Sequence, residues 1–438
     1  MFNISLPTPC PLGRSTATSL LVLAVLFLTA RSPASADEKP VRVYILAGQS
    51  NMVGTGAISS LGYLGEDPAT APLLERILSA EGKPRICDRV WISSLNGRMR
   101  QPGGVGQGKL SVGYGLRRDA PSRPGDCIGP EYTFGITMED NYDGPILLIK
   151  TAWGGHSLHV EFRPPSAGAF VMPEDRVRKL RAKGPSVLAE KQAELQEFTG
   201  RYYRRMIAHV HSVLDEIDSV VPNYDASAGY EIAGFVWFQG WNDLVAADVY
   251  PQELGDKQFD QYSELLCHLI RDVRNDLEVP DLPFVIGILG VNGNHTPGLY
   301  SGPANAKTRM ERFRTAMAAP AQLQEFQATV FAVPTAPFWD DELGALGMKQ
   351  LKVQRMRTSL HKKSKSGPNS DGSMSAEDIR NYMQEFNNEV FTPEDLELKN
   401  RATGTGGFVH YYGSAKFHAQ AGQAFAQALL NGSVSKGN

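Results

Sequence analysis

The stretch VRVYILAGQSNMVG, residues 41–54, decides the fold. Val41 to Ala47 is almost continuously apolar, with Arg42 alone interrupting it, and Gly48 then breaks the run just before Ser50. An unbroken apolar run of this length, rich in β-branched and aromatic residues, reads as a strand covered on both faces. In an open α/β sheet ligands bind beyond the carboxyl ends of strands, so a hydroxyl set just past such an end is placed for chemistry. It is also placed to cap a helix.

Similar runs recur along the chain. DGPILLIKTAW (143–153), EIAGFVWFQG (231–240), LPFVIGILG (282–290) and ATVFAVPTA (328–336) all read as buried strands. Helical patterns lie between them, one over 188–218 and another over 259–277, and a last helix follows YYGSAKFHAQAGQAF and ends at Gly432. Strands alternating with helices imply right-handed βαβ units and a parallel sheet with helices on both faces. The expected fold is α/β, a three-layer sandwich. Residues 95–130, rich in Gly, Pro and Arg, read as a long loop walling the site. Residues 361–400 read as one or two inserted surface helices, with helix-start chemistry at Ser375 and Thr392.

The chain has 438 residues, 42% hydrophobic and 21% charged, with a formal net charge of −3. These values fit a globular protein and give no reason to expect nucleic acid as a partner. Ahead of the first strand, Arg14, the apolar run Leu20–Leu28 and small residues at Ala34 and Ala36 form a secretory signal over 1–36. The run is too short to span a bilayer comfortably. The expectation is one exported domain over 37–438, periplasmic or extracellular, with no membrane in its mature form. Beyond Cys10 three cysteines remain. Cys87 and Cys127 flank loop-like sequence and are candidates for a disulfide, whereas Cys267 reads as a buried face of a helix. No Cys-x-x-Cys or His-x-x-x-His spacing points to a metal, and no cofactor is implied.

The strand ends carry the chemistry. Ser50 follows the first strand, Gly154-Gly155-His156 the second quoted run, and Asn242-Asp243 the third, while His410 stands before the last helix. Acyl transfer needs these parts: a hydroxyl nucleophile, a base near neutral pH and fixed donors for an oxyanion. Several have plainer readings. Ser50 or Asn242 can cap a helix, Glu131 and Asp243 suit a helix's first turn, and His418 suits packing within its helix. His156 is either a substrate contact or a loop histidine. Trp153 and Trp237 read as core, Trp241 as a ring that can stack on a sugar, and Phe162–Ser166 as a rigid rim.

The blocks ILAGQSNMVG, GPEYTFG, IKTAWGGHSL, WFQGWND and HYYGSAKFHAQAGQAFAQAL, in this order over about 41–430, resemble the SGNH hydrolases. More narrowly, they are similar to the sialate O-acetylesterase-like carbohydrate esterases. The resemblance implies a flavodoxin-like α/β/α sandwich and removal of O-acetyl groups from an acetylated sugar or polysaccharide. It also implies Ser50 as nucleophile and His410 as general base. The oxyanion hole would comprise the N–H groups of Ser50 and of Gly155 or Gly154, with the Asn242 side chain. One departure stands out. The acid that most SGNH hydrolases carry three residues before the histidine is here Gly407. Asp243, Glu131, Asp340, Asp341, a backbone carbonyl or a water are the candidates to replace it. Two other readings stay open at this point. One is a carbohydrate-binding protein on an esterase scaffold, and the other is a lipid or aryl esterase, which would need a large apolar pocket.

Overall fold

The computed structural model describes residues 39–98, 104–116, 125–294, 305–404 and 411–434. The expected signal segment lies outside them. Val41–Gly48 forms β1, every residue buried except the partly covered Arg42. β1 pairs in parallel with β4 (Ile146–Gly154) on one side and β5 (Tyr230–Phe238) on the other. Outward from β4 come β2 (Val90–Arg98) and β3 (Gly104–Lys109); outward from β5 come β6 (Phe284–Ile288) and β7 (Val330–Pro334). The order β3-β2-β4-β1-β5-β6-β7 is parallel throughout except for the β2–β3 hairpin. The chain leaves β1 toward β2, returns to β4, and then crosses to β5. The sheet therefore changes winding direction at its centre, which is where a doubly wound fold opens a crevice.

Alternation along β4 shows how the layers are built. Leu148 and Lys150 face the helix Glu131–Glu139, while Trp153 packs against Tyr202 of the helix Arg201–Asp215 on the opposite face. The C-terminal helix Ala415–Val434 shares the first layer, with Phe425 edge-on to Phe238 of β5. The helix Asp260–Asp276 joins the second, tied to Arg201–Asp215 by the Tyr203 hydroxyl on Asp276. Arg201–Asp215 buries Tyr202, Tyr203, Met206, Val210 and Val213, a stripe at helical spacing. The three-layer expectation holds.

Several expectations need correction. The 95–130 segment is not all loop: β2 runs to Arg98 and β3 pairs antiparallel with it, while 99–103 and 117–124 lie outside the described residues. Ser93, Ser94 and Asn96 disguise β2, since they break its apolar run although all three are buried. Ser93 Oγ is satisfied by His209 Nε2 at 3.3 Å and Gln107 Nε2 at 3.3 Å. The helix expected over 188–218 is two, Pro185–Phe198 and Arg201–Asp215. Gly200 breaks it at φ 67°, and a Cβ there would lie 2.9 Å from the Arg163 carbonyl oxygen. Cys87 and Cys127 are buried thiols, not a disulfide, and Cys127 donates to Asp126 Oδ1. By contrast, the helices Ala376–Val390 and Pro393–Ala402 start in capping boxes at Ser375 and Thr392, as their sequences predict.

Burial holds the His209 imidazole down to about 4, against about 6.5 when exposed. Between those values the unfolded chain binds the extra proton. The neutral ring's contribution is therefore complete above pH 6.5 and declines as pH falls toward 4. Urea denaturation across this range should show a loss of up to about 3 kcal/mol. His209→Gln should flatten that slope.

Candidate active site

The turn after β1 is built by close approach. A Cβ on Gly48 would lie 2.3 Å from the Phe238 carbonyl oxygen, so only glycine lets β1 and β5 end this near each other. Ser50–Val53 then forms one helical turn, with Met52 and Val53 donating to the Gln49 carbonyl. Ser50 is the first residue inside this turn, and no side chain caps it. The Ser50 hydroxyl instead accepts from Gln49 Nε2 at 3.3 Å. Gly54 closes the turn at φ 80°, where a Cβ would stand 2.0 Å from Gly129 Cα.

Gln49 is fully buried and joins two strand ends. Its Nε2 also donates to Asn242 Oδ1 at 3.1 Å. Its Oε1 accepts from Gln239 Nε2 at 3.0 Å, Gly240 N at 3.2 Å and Asn242 N at 3.3 Å. With its oxygen engaged by Gln49, Asn242 keeps its amide N–H groups for a ligand. From the other side comes the end of β4. A Cβ on Gly154 would lie 3.5 Å from Ser50 Cβ, and Gly155, at φ 85°, is exposed beside it. Ser50, the paired glycine and Asn242 thus meet at one rim.

Two of the four carboxylates considered as triad acids, Asp243 and Glu131, are committed elsewhere. Asp243 is fully buried and receives five donors: Leu158 N, His159 N, His159 Nδ1 at 2.8 Å, Tyr250 Oη and Gln239 Nε2. That exhausts the roughly four lone-pair positions of a carboxylate. Burial, and then the Asp243 charge, push the Tyr250 hydroxyl well up, which keeps it a donor. Glu131 is also fully buried. It accepts from Lys150 Nζ at 2.6 Å and from Gly129 N at 2.8 Å. Lys150 spends its other donors on the carbonyls of Val53, at 2.9 Å, and Tyr114, at 3.0 Å. The pair braces the serine turn from below. Asp340 caps the helix Asp341–His361 and receives Tyr63 and Lys416.

His410 and Gly407 lie outside the described residues. The chain on either side of them packs near the serine turn: a Cβ on Gly404 would lie 2.5 Å from Ala57 Cβ, and one on Gly413 3.4 Å from the Thr55 carbonyl oxygen. His418 accepts from Thr55 N at 3.2 Å and is fully buried, in keeping with a packing role. Trp153 and Trp237 are core, and Trp241 is partly exposed.

Beside the rim lies a cavity of about 320 Å³ walled by Gly155, Asn242, His156, His159 and Glu161 and, on its outer side, by the helices Glu174–Lys183 and Pro185–Phe198. His156 lies over Tyr202 with ring centroids 4.0 Å apart. Burial alone would raise the Glu161 carboxyl, but bonds from His156 and Ser157 outweigh it and hold the group below its ordinary range. Arg163 fixes the floor of this loop through the carbonyls of His159, Ala167 and Gly168. Among the described residues no cluster of His, Cys, Asp or Glu is arranged to hold a metal, and no helix is long and apolar enough to cross a membrane.

The family profile described as carbohydrate esterase, sialic acid-specific acetylesterase, matches residues 113–327. The matched segment, a little under half of the chain, is similar to that family, and the chain is a carboxylic ester hydrolase. No curated protein sequence matches it. Among solved structures, an Arabidopsis thaliana protein is similar at 15% identity, covering 90% of this chain and 98% of its own, with a TM-score of 0.42. A carbohydrate acetylesterase from Xanthomonas citri shares 13% identity over 67% of this chain and 49% of its own, with a TM-score of 0.38. NanS shares 13% identity over 68% of this chain and 78% of its own, with a TM-score of 0.35.

Nothing in the local sequence marks Gln49 or His159 as part of the candidate site. Lys150 did leave a signal, as one cation in the apolar run ILLIKTAW. Replacing it while Glu131 keeps its buried charge should be costly. Lys150→Met should lose about 3–5 kcal/mol in urea denaturation at pH 7. The double variant Lys150→Met, Glu131→Gln should recover most of that loss.

Proposed function

We propose that this esterase removes O-acetyl groups from acetylated carbohydrates by a serine mechanism, in the periplasm or outside the cell after export. Ser50 Oγ attacks the acetyl carbonyl carbon while His410 takes its proton. The tetrahedral oxyanion is held by the N–H groups of Ser50 and Gly155 and by the Asn242 amide. Collapse forms the acetyl-enzyme and expels the sugar oxygen, which leaves with the proton from His410. Water then attacks with the same base, releasing acetate and restoring the serine.

The observation that carries this reading is the Gln49 carboxamide, which bonds both the Ser50 hydroxyl and the Asn242 oxygen. It sets nucleophile and amide donor side by side. The Gln49 bond also supplies a donor to Ser50 Oγ, so the serine's own hydrogen is left for the base. Asp243 is saturated, Glu131 is tied to Lys150 and Gly129 N, and Asp340 caps a helix, so Asp341, a main-chain carbonyl or a water is left for the role of the acid missing at Gly407. Export rests on the apolar run Leu20–Leu28 and the small residues before Asp37.

Kinetics on an acetylated oligosaccharide test it. Ser50→Ala and His410→Asn should each lower kcat by about 10⁴-fold or more. Asn242→Ala should lower it by about 10²–10³-fold with the fold intact. The wild-type kcat/KM should fall on the acid side of about pH 6.5 as the base protonates. Full turnover by Ser50→Ala would refute the mechanism.

A further inference from the structure

The cavity beside the rim is walled by a histidine that the serine mechanism does not use. His159 is 7% exposed, and its Nδ1 points at Asp243 Oδ1 at 2.8 Å. A carboxylate at Nδ1 fixes the proton there and leaves Nε2 with its lone pair outward. Nε2 makes no hydrogen bond among the described residues, and the ring lines the cavity together with Gly155 and Asn242. Asp243 is rigid, held by Leu158, Tyr250 and Gln239 as well. The imidazole is therefore a pre-oriented hydrogen-bond partner next to the oxyanion donors. Phe170 and Tyr250 flank it, at 5.5 and 5.7 Å between ring centroids.

The charges in the same walls say what can sit there. Arg176 is paired with Asp248 at 3.4 Å, and Lys191 with Glu194 at 2.7 Å. Glu161 adds a third carboxylate and is itself held ionised by Ser157 and His156. Among the described lining residues each Lys or Arg is therefore matched by an acid, with one carboxylate in excess. A ligand carboxylate would find no unpaired Arg or Lys in these walls and would face repulsion from Glu161. Sugar hydroxyls, by contrast, can donate to His159 Nε2 and to the carboxylates.

We propose that this cavity is the glycone subsite of the esterase and selects an acetylated neutral sugar over an acidic one, with His159 as the positioning residue that receives a ring hydroxyl. The assignment rests on the serine-esterase reading and narrows its substrate class.

The test compares three substrates with the full-length mature protein: a mono-O-acetylated methyl xyloside, O-acetylated N-acetylneuraminic acid, and p-nitrophenyl acetate, which carries no sugar. Wild-type kcat/KM should be at least tenfold higher on the xyloside than on the sialate. His159→Phe should raise KM for the xyloside at least tenfold while kcat falls less than threefold, and His159→Gln should restore part of the loss. Equal rates on the two sugars, or a preference for the sialate, would overturn the assignment without needing any variant. A His159→Phe effect on kcat rather than KM would also overturn it. Hydrolysis of p-nitrophenyl acetate, and its loss in Ser50→Ala, checks the serine reading separately. If that control fails, the mechanism is at fault and the subsite falls with it; if it holds, an adverse sugar comparison counts against the subsite alone.

Discussion

The site depends on one buried carboxamide. Gln49 stands at the end of β1 with no access to solvent, and five hydrogen bonds leave it a single orientation. A buried amide with any of these unmet would cost about 1–3 kcal/mol per group. Its partners are therefore constrained as strongly as it is. That constraint converts a parallel sheet into a constellation, because the groups it touches come from the central strands. The glycines at 48 and 240 exist to permit it: side chains there would strike Phe238 and Phe313.

Beneath the rim runs a second brace. Lys150 and Glu131 form an ion pair with no exposed surface, and such a pair rarely adds net stability relative to apolar replacements. Its value here is positional. The ammonium holds the Val53 carbonyl and so fixes the far end of the turn that begins at Ser50. Asp243 does the same for the loop Ser157–Val160, binding two of its backbone amides and a histidine ring. Two carboxylates that read as catalytic acids thus serve as anchors, and the protein places charge where geometry must not drift.

Much of this was legible beforehand, for physical reasons. Strands buried on both faces must be apolar throughout, so β1, β4, β5, β6 and β7 stood out in the sequence. β2 did not, because Ser93, Ser94 and Asn96 satisfy their polar groups inside the protein and leave no apolar run. Ser50, Gly154-Gly155 and Asn242 were recognisable because small or polar residues at strand ends break a pattern. The roles of Gln49 and His159 were not, since Gln49 acts through Asn242, 193 positions away, and His159 through Asp243, 84 positions away, which spacing cannot reveal. Gly200 looked like part of a helix because its left-handed turn depends on the distant Arg163 carbonyl.

The claim at the centre is that Ser50 is made reactive beside a preorganised amide. Incubating the protein with a fluorophosphonate, then mapping the adduct by mass spectrometry and following its rate, tests it most directly. The account predicts one label per chain, on the peptide bearing Ser50, with a rate that falls about a hundredfold in Asn242→Ala. A label on another residue, or a rate indifferent to Asn242, would contradict it.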